Sequence, residues 1–248
     1  MPPQRTPWLI GWEAAKANAA PAFLLQSVML AILLAYYLHP PSAAFLNALA
    51  GFKQRHGLIF VLIASAIVGA VLPELFVIVF FQRGCVRLQN VRNFIFNAPF
   101  WAFDGFLVNL MYRALAEWLG DRTSLPIVAA KICLDQFGYN PFFAAPFGIW
   151  GYAWKNSGYS FAKLRPRLTW QYYREHALPV LIATWTVWIP LMAVIYSLPL
   201  ALQFPLFALA LAFWVLMMTY MTNRFAGKIE ADAELPISVV GDVKALKH

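Results

Sequence analysis

Lys131, Asp135, Gln136 and Asn140 stand with Pro141 in the stretch KICLDQFGYNP, inside a segment otherwise rich in Leu, Ile and Phe. Lys131 and Asp135 are four positions apart, so on a helix they share a face and are placed to pair. Gln136 and Asn140 repeat that spacing on a neighbouring face, and Pro141 removes a backbone donor and favours a kink. At membrane depth each ionisable group costs roughly 2.5–3.5 kcal/mol on insertion scales, so such groups face a bundle interior, a partner or a water-filled path. Two readings follow. The residues line a polar pathway, or Lys131 and Asp135 form a satisfied pair that pins helices together, where removal of one partner would strand a charge. Glu74, next to Pro73, is a further candidate, either for gating or proton handling or as a group attached to a kink. Asp104 is another, and is also a possible cross-helix partner of Lys131.

These groups do not assemble into catalytic machinery. Glu74, Asp104 and Asp135 fall on different expected helices. The chain has no Gly-rich phosphate loop, no Ser or Cys nucleophile with a plausible His base, and no His-x-x-x-His pair. The expectation is a protein that is not an enzyme and carries no metal or cofactor. Cys85 and Cys133 are too few for a disulfide framework, and the four His are scattered.

The elements that must position these residues are membrane helices. Of 248 residues, 61% are hydrophobic, 17% aromatic and only 12% charged, and the mean hydropathy is +0.62. Soluble domains run near 25% charged and at most about half apolar. The formal charge of +8 lies between apolar runs rather than on one soluble face, so anionic lipid head groups are the expected partner and nucleic acid is not.

Apolar runs cover 21–38, 58–81, 177–198 and 200–222, separated by His39-Pro40-Pro41, by polar loops and by Pro199. Residues 94–119 form a weaker span holding Asn97, Asp104, Asn109 and Arg113, and 125–152 carries the polar cluster. The expected fold is all-α, a polytopic helical membrane protein of four to six spans. One transmembrane domain covers 1–222, and 223–248 is a short soluble tail. Ser65 and Gly69 are spaced for close helix contact. Lys163, Arg165, Arg167 and Arg174, interleaved with Trp170 and two Tyr, suit a segment lying on the membrane surface. In a six-span arrangement the side with both termini receives fourteen Lys and Arg and the opposite side three, with Arg113 and Lys131 within the membrane. The positive-inside rule then puts both termini on the cytoplasmic or matrix side, in a bacterial cytoplasmic membrane or an organelle inner membrane.

The pattern Lys131-x-x-x-Asp135-Gln136 with Pro141, followed by Trp185-x-x-Trp188 and Pro190, resembles the Mpv-seventeen/PMP-twenty-two family of small peroxisomal and mitochondrial inner-membrane proteins. The likeness covers about residues 104–220, with Trp214 and Tyr220 in the last span. Departures are the inserted Ile189, Met192 and Ile195 where the family usually has Gln and Asn, Tyr196 for Phe, and Gln203 for Arg. The resemblance implies a weakly selective channel in an organelle inner membrane.

The expected function is therefore a passive pathway for ions or small solutes, lined by Lys131, Asp135, Gln136 and Glu74, then Asp104 and Asn140. The alternative is a non-conducting accessory subunit, either self-associated or packed beside a larger membrane complex. A pathway requires these side chains to surround a continuous hydrated cavity. A scaffold requires them to pair off in a dry core.

Overall fold

The computed structural model describes residues 6–17 and 19–233. It is all-helical, 89% helix with no strand among the described residues. Helix α1 (Pro7–Ala17) leads into α2 (Ala19–Leu38). His39 is extended at φ −127° and Pro40 opens the next helix, because a proline fits a first turn where its missing N–H has no partner anyway. Helix α3 (Pro40–Ala66) contains a break at Gly57, whose φ of +53° and ψ of −126° leave helical space. That break separates the connector from the apolar run that the sequence places at 58–81. A π-helical turn, Ile67–Val71, then feeds α4 (Leu72–Phe80).

Helix α5 runs Leu88–Leu119. The polar-cluster segment is α6 (Leu125–Cys133), a π-helical stretch Leu134–Ala144, and α7 (Ala145–Asn156). The short α8 (Phe161–Leu164) and a 3-10 turn Arg165–Arg167 lead to α9 (Trp170–Tyr196) and α10 (Leu200–Ala233). Three bodies are long and apolar enough to cross a membrane: Pro40–Phe80, Leu88–Leu119 and Trp170–Tyr196. Ala22–Leu38 and Leu200–Leu216 are shorter apolar helices.

Two expectations change. Pro73 does not interrupt its span, because the preceding π turn absorbs the missing donor and the helix continues to Phe80. Residues 170–176 do not form a separate surface segment. Thr169 caps α9 by accepting from the Tyr172 N–H at 3.2 Å, so Trp170 and Arg174 belong to the first turns of the long helix. Lys163, Arg165, Arg167, Trp170 and Arg174 are nonetheless all exposed. A third detail is added rather than changed: α10 runs on past residue 222 to Ala233, so the first part of the expected soluble tail is helical. The remainder of that tail, 234–248, lies outside the described residues.

Proline defects in the spans are repaired by neighbouring helices. Pro190 cannot donate to the carbonyl four residues back, Thr186. Gln26 on α2 donates its Nε2 to that oxygen at 3.0 Å. The Pro141 defect is repaired from α9, as described below.

The core lies where α2, α3, α5, α9 and α10 meet, with Leu25, Met29, Val61, Leu191, Ile195 and Phe204 all buried. Helix α3 and its π turn run closely along α5. Ser65 sits against Gly105, and Gly69 lies beneath the Trp101 indole, so a Cβ at either glycine would collide with its neighbour. The expected small-residue contact is thus made by Ser65 and Gly69 against α5. Gly105→Val is expected to force α3 and α5 apart and to destabilise by about 1–3 kcal/mol, read as a lower thermal midpoint in detergent; an unchanged midpoint would show that the contact is not close.

Candidate functional site

Polar residues from α4, α5 and the π-helical stretch converge on one cavity of about 1130 Å³. Glu74, Asp104, Asp135, Gln136 and Asn140 all line it. Along α5 its wall extends from Gln89 to Tyr112, which at 1.5 Å per residue is about 35 Å, comparable to a hydrocarbon core. Exposed Gln89, Arg167 and His176 mark the mouth, on the side with the basic loops.

The α5 wall carries a polar stripe that sequence reasoning largely passed over. Asn90, Asn93 and Asp104 line the cavity, and Asn97 shares their helical spacing without lining it. Asn90 donates Nδ2 to Glu74 Oε2 at 2.7 Å. Lys155 donates Nζ to Asn93 Oδ1 at 2.9 Å, and Tyr152 Oη donates to Asn97 Oδ1 at 3.3 Å. Partial burial pushes the Lys155 ammonium down from its ordinary value, and the nearby Glu74 carboxylate opposes that shift. The signal available in the sequence was the Asn-x-x-Asn-x-x-x-Asn spacing, hidden in a helix with no amphipathic pattern of its own.

The π-helical stretch explains why Asp135, Gln136 and Asn140 face inward together. In a π-helix each N–H bonds the carbonyl five residues back, so Pro141 leaves the Gln136 carbonyl without its donor. Trp185 on α9 supplies one, its indole Nε1 donating to Gln136 O at 3.0 Å. Tyr173 Oη donates to the Pro141 carbonyl at 2.7 Å. Asn140 Nδ2 donates to Gln136 Oε1 at 3.4 Å, as the four-residue spacing allows. Trp185 is thus a structural donor to this segment. Trp188 instead lines the cavity, its ring 5.6 Å from Phe207 and 6.5 Å from Trp214.

The expected Lys131–Asp135 pair is not made. Asp135 is buried and its Oδ2 accepts from Tyr196 Oη at 2.8 Å. The pair straddles the junction between α6 and the π-helical stretch, and the Asp135 side chain is taken by Tyr196 instead. Lys131 is 1% exposed and does not line the cavity. Among the described residues no hydrogen bond or ion pair engages it, and the carboxylate it senses is Asp121. Nor does Asp104 partner Lys131. Asp104 has no hydrogen bond or ion pair among the described residues. Cys85 and Cys133 are both free and exposed.

The deep end of the cavity is closed by a packed layer. Tyr112 and Tyr196 meet edge to face at 5.6 Å, and Tyr112 meets Phe207 the same way at 6.0 Å. Tyr112, Met192 and Tyr196 are each at most 2% exposed. A second cavity of about 1020 Å³ is lined by Lys53, Asn109, Arg113, Asp121 and Arg122 and by residues 199–201. Arg113 directly follows Tyr112, and Pro199 comes three residues after Tyr196, so the Tyr112–Tyr196 contact stands between the two linings along the chain.

The chain was compared with protein-family models, curated proteins and solved structures, and none matches. Functional reading therefore rests on the site itself.

Proposed function

We propose that this is an integral membrane protein of four to six spans that provides a passive, weakly selective pathway for ions or small solutes without catalysis. The observation that carries the reading is the gathering of Glu74, Asp104, Asp135, Gln136 and Asn140, from three helical bodies, onto one cavity nearly as long as a bilayer is thick. Polar groups in a narrow apolar bundle replace part of a solute's hydration shell. The Tyr112–Tyr196 layer is the gate, because it stands between the linings of two cavities along the chain and holds no polar group except phenols and the Asp135 carboxylate. The basic loops support an orientation with both termini on the cytoplasmic or matrix side, against anionic lipid. The Lys131-to-Pro141 and Trp185-to-Pro190 motifs support a distant relationship to the Mpv-seventeen/PMP-twenty-two family.

Lys131 is not part of the lining in this reading. It is buried away from the cavity, with the Asp121 carboxylate in electrostatic range. The Asp135–Tyr196 bond is the kind of dry pairing that a non-conducting accessory subunit, self-associated or within a larger membrane complex, would use. Flux decides between the two. Tyr112→Ala opens the layer and is expected to raise solute flux into liposomes by about tenfold over wild type, the order of rate change that removing about 1.4 kcal/mol of barrier gives. No flux in wild type or in Tyr112→Ala, with both folded by thermal melt, makes the accessory-subunit reading the correct one.

A further inference from the structure

Asp104 is a carboxylate in the cavity wall near the middle of α5, and no donor or cation within the protein answers it among the described residues. The basic groups nearby are engaged elsewhere. Arg167 stands at the mouth and donates to Ser157 Oγ at 3.3 Å. Lys155 is held by Asn93. His176 Nδ1 lies 2.9 Å from the Tyr172 carbonyl.

What surrounds Asp104 is aromatic. Tyr139 and Tyr152 both sense its charge. Trp101, one turn away on α5, lines the same cavity. Phe100 stacks on Phe147 at 4.5 Å and meets Tyr152 edge to face at 5.3 Å. The Tyr139 Oη is buried without a hydrogen-bond partner, although it lies in the cavity wall. Outside the lining, Lys155 Nζ stands 5.8 Å from the ring centre of Tyr152 and 5.1 Å from that of Phe96, so one of these wall rings already faces an alkylammonium.

We propose that the section of the cavity around Asp104 binds small alkylated ammonium compounds, with Asp104 balancing the charge and the Trp101, Tyr139 and Tyr152 rings contacting the N-alkyl groups. The inference rests on reading the cavity as a solute pathway and names the class of solute that it selects. Aromatic faces attract such cations, which lose little hydration on entry. A bare divalent cation wants six or more oxygen ligands, and here Asp104 has ring faces around it instead. The volume, about 1130 Å³, suits an organic molecule rather than an ion.

The test uses full-length protein in lipid nanodiscs, titrated with tetramethylammonium chloride against sodium chloride at equal ionic strength and followed by tryptophan fluorescence and calorimetry. Saturable binding of tetramethylammonium, absent for sodium and weakened at least tenfold in a folded Asp104→Asn, is the expected result. No saturable binding to folded wild type overturns the proposal, and so does equal binding by Asp104→Asn. Should Asp104→Asn not fold, the wild-type contrast between the two cations decides alone. Flux of tetramethylammonium and of glycerol into liposomes, run in parallel, separates this inference from the pathway reading. Binding without any flux overturns the pathway and leaves the site. Glycerol flux without tetramethylammonium binding overturns the site and leaves the pathway.

Discussion

Trp185→Phe is expected to destabilise the protein by about 1–3 kcal/mol, the cost of leaving a buried carbonyl unpaired. The substitution keeps an aromatic ring 5.2 Å from Phe137 and removes only the indole N–H that serves Gln136 O. Pro141→Ala restores a backbone N–H at the position whose π-helical acceptor is that same oxygen. In the Pro141→Ala background the indole is therefore dispensable, and Trp185→Phe should cost little. The double-mutant cycle, from thermal or SDS unfolding, is expected to show a coupling of about 1–2 kcal/mol. Additive losses would mean that the two residues stabilise different things, and the repair of the Pro141 defect by α9 would be wrong. The same logic links the two motif-bearing stretches physically. One carries the proline and the other the donor that the proline makes necessary.

Lys131→Met is expected to raise stability, by up to about 2.5–3.5 kcal/mol, the cost of holding an ammonium at membrane depth. The lysine is 1% exposed and has no hydrogen bond or ion pair among the described residues. Met matches its length and fills the same space with polarizable apolar atoms. Asp135→Asn should not reverse the gain, because Asp135 is held by Tyr196 rather than by Lys131. The check is the thermal midpoint of the single and double variants in one detergent. A Lys131→Met protein that melts early, rescued by Asp135→Asn, would restore the ion pair that the sequence spacing implies. A more stable Lys131→Met protein with altered flux would show a charge kept for function against its cost.

Much of the fold is legible in the sequence because its signals are local. Apolar runs, Pro40 after an extended His39, and the distribution of Lys and Arg report helices and their ends without knowledge of neighbours. Gly57 is the point where the connector yields to the span, and the change in composition there is visible in the residues alone. The convergence of Glu74, Asp104, Asp135, Gln136 and Asn140 was also within reach, since polar groups in apolar helices must turn inward. Their partners were not. An i, i+4 spacing permits contact without requiring it: Asn140 reaches Gln136, while Asp135 turns to Tyr196 rather than to Lys131.

Which hydroxyl holds Asp135, which indole holds the Gln136 carbonyl and why Asp104 is left without a partner are settled by contacts between residues 49 to 61 positions apart, or by their absence. The Asn90–Asn93–Asn97 stripe has a readable spacing. Only the placement of α4 and α7 opposite it gives the three amides their partners, Glu74, Lys155 and Tyr152. Composition and spacing alone specify an apolar, basic, all-helical chain with misfit polar groups in its apolar helices. The tertiary structure alone decided which of those groups meet, because a buried donor or acceptor is satisfied by whatever geometry brings within about 3 Å of it, and composition carries no record of that distance.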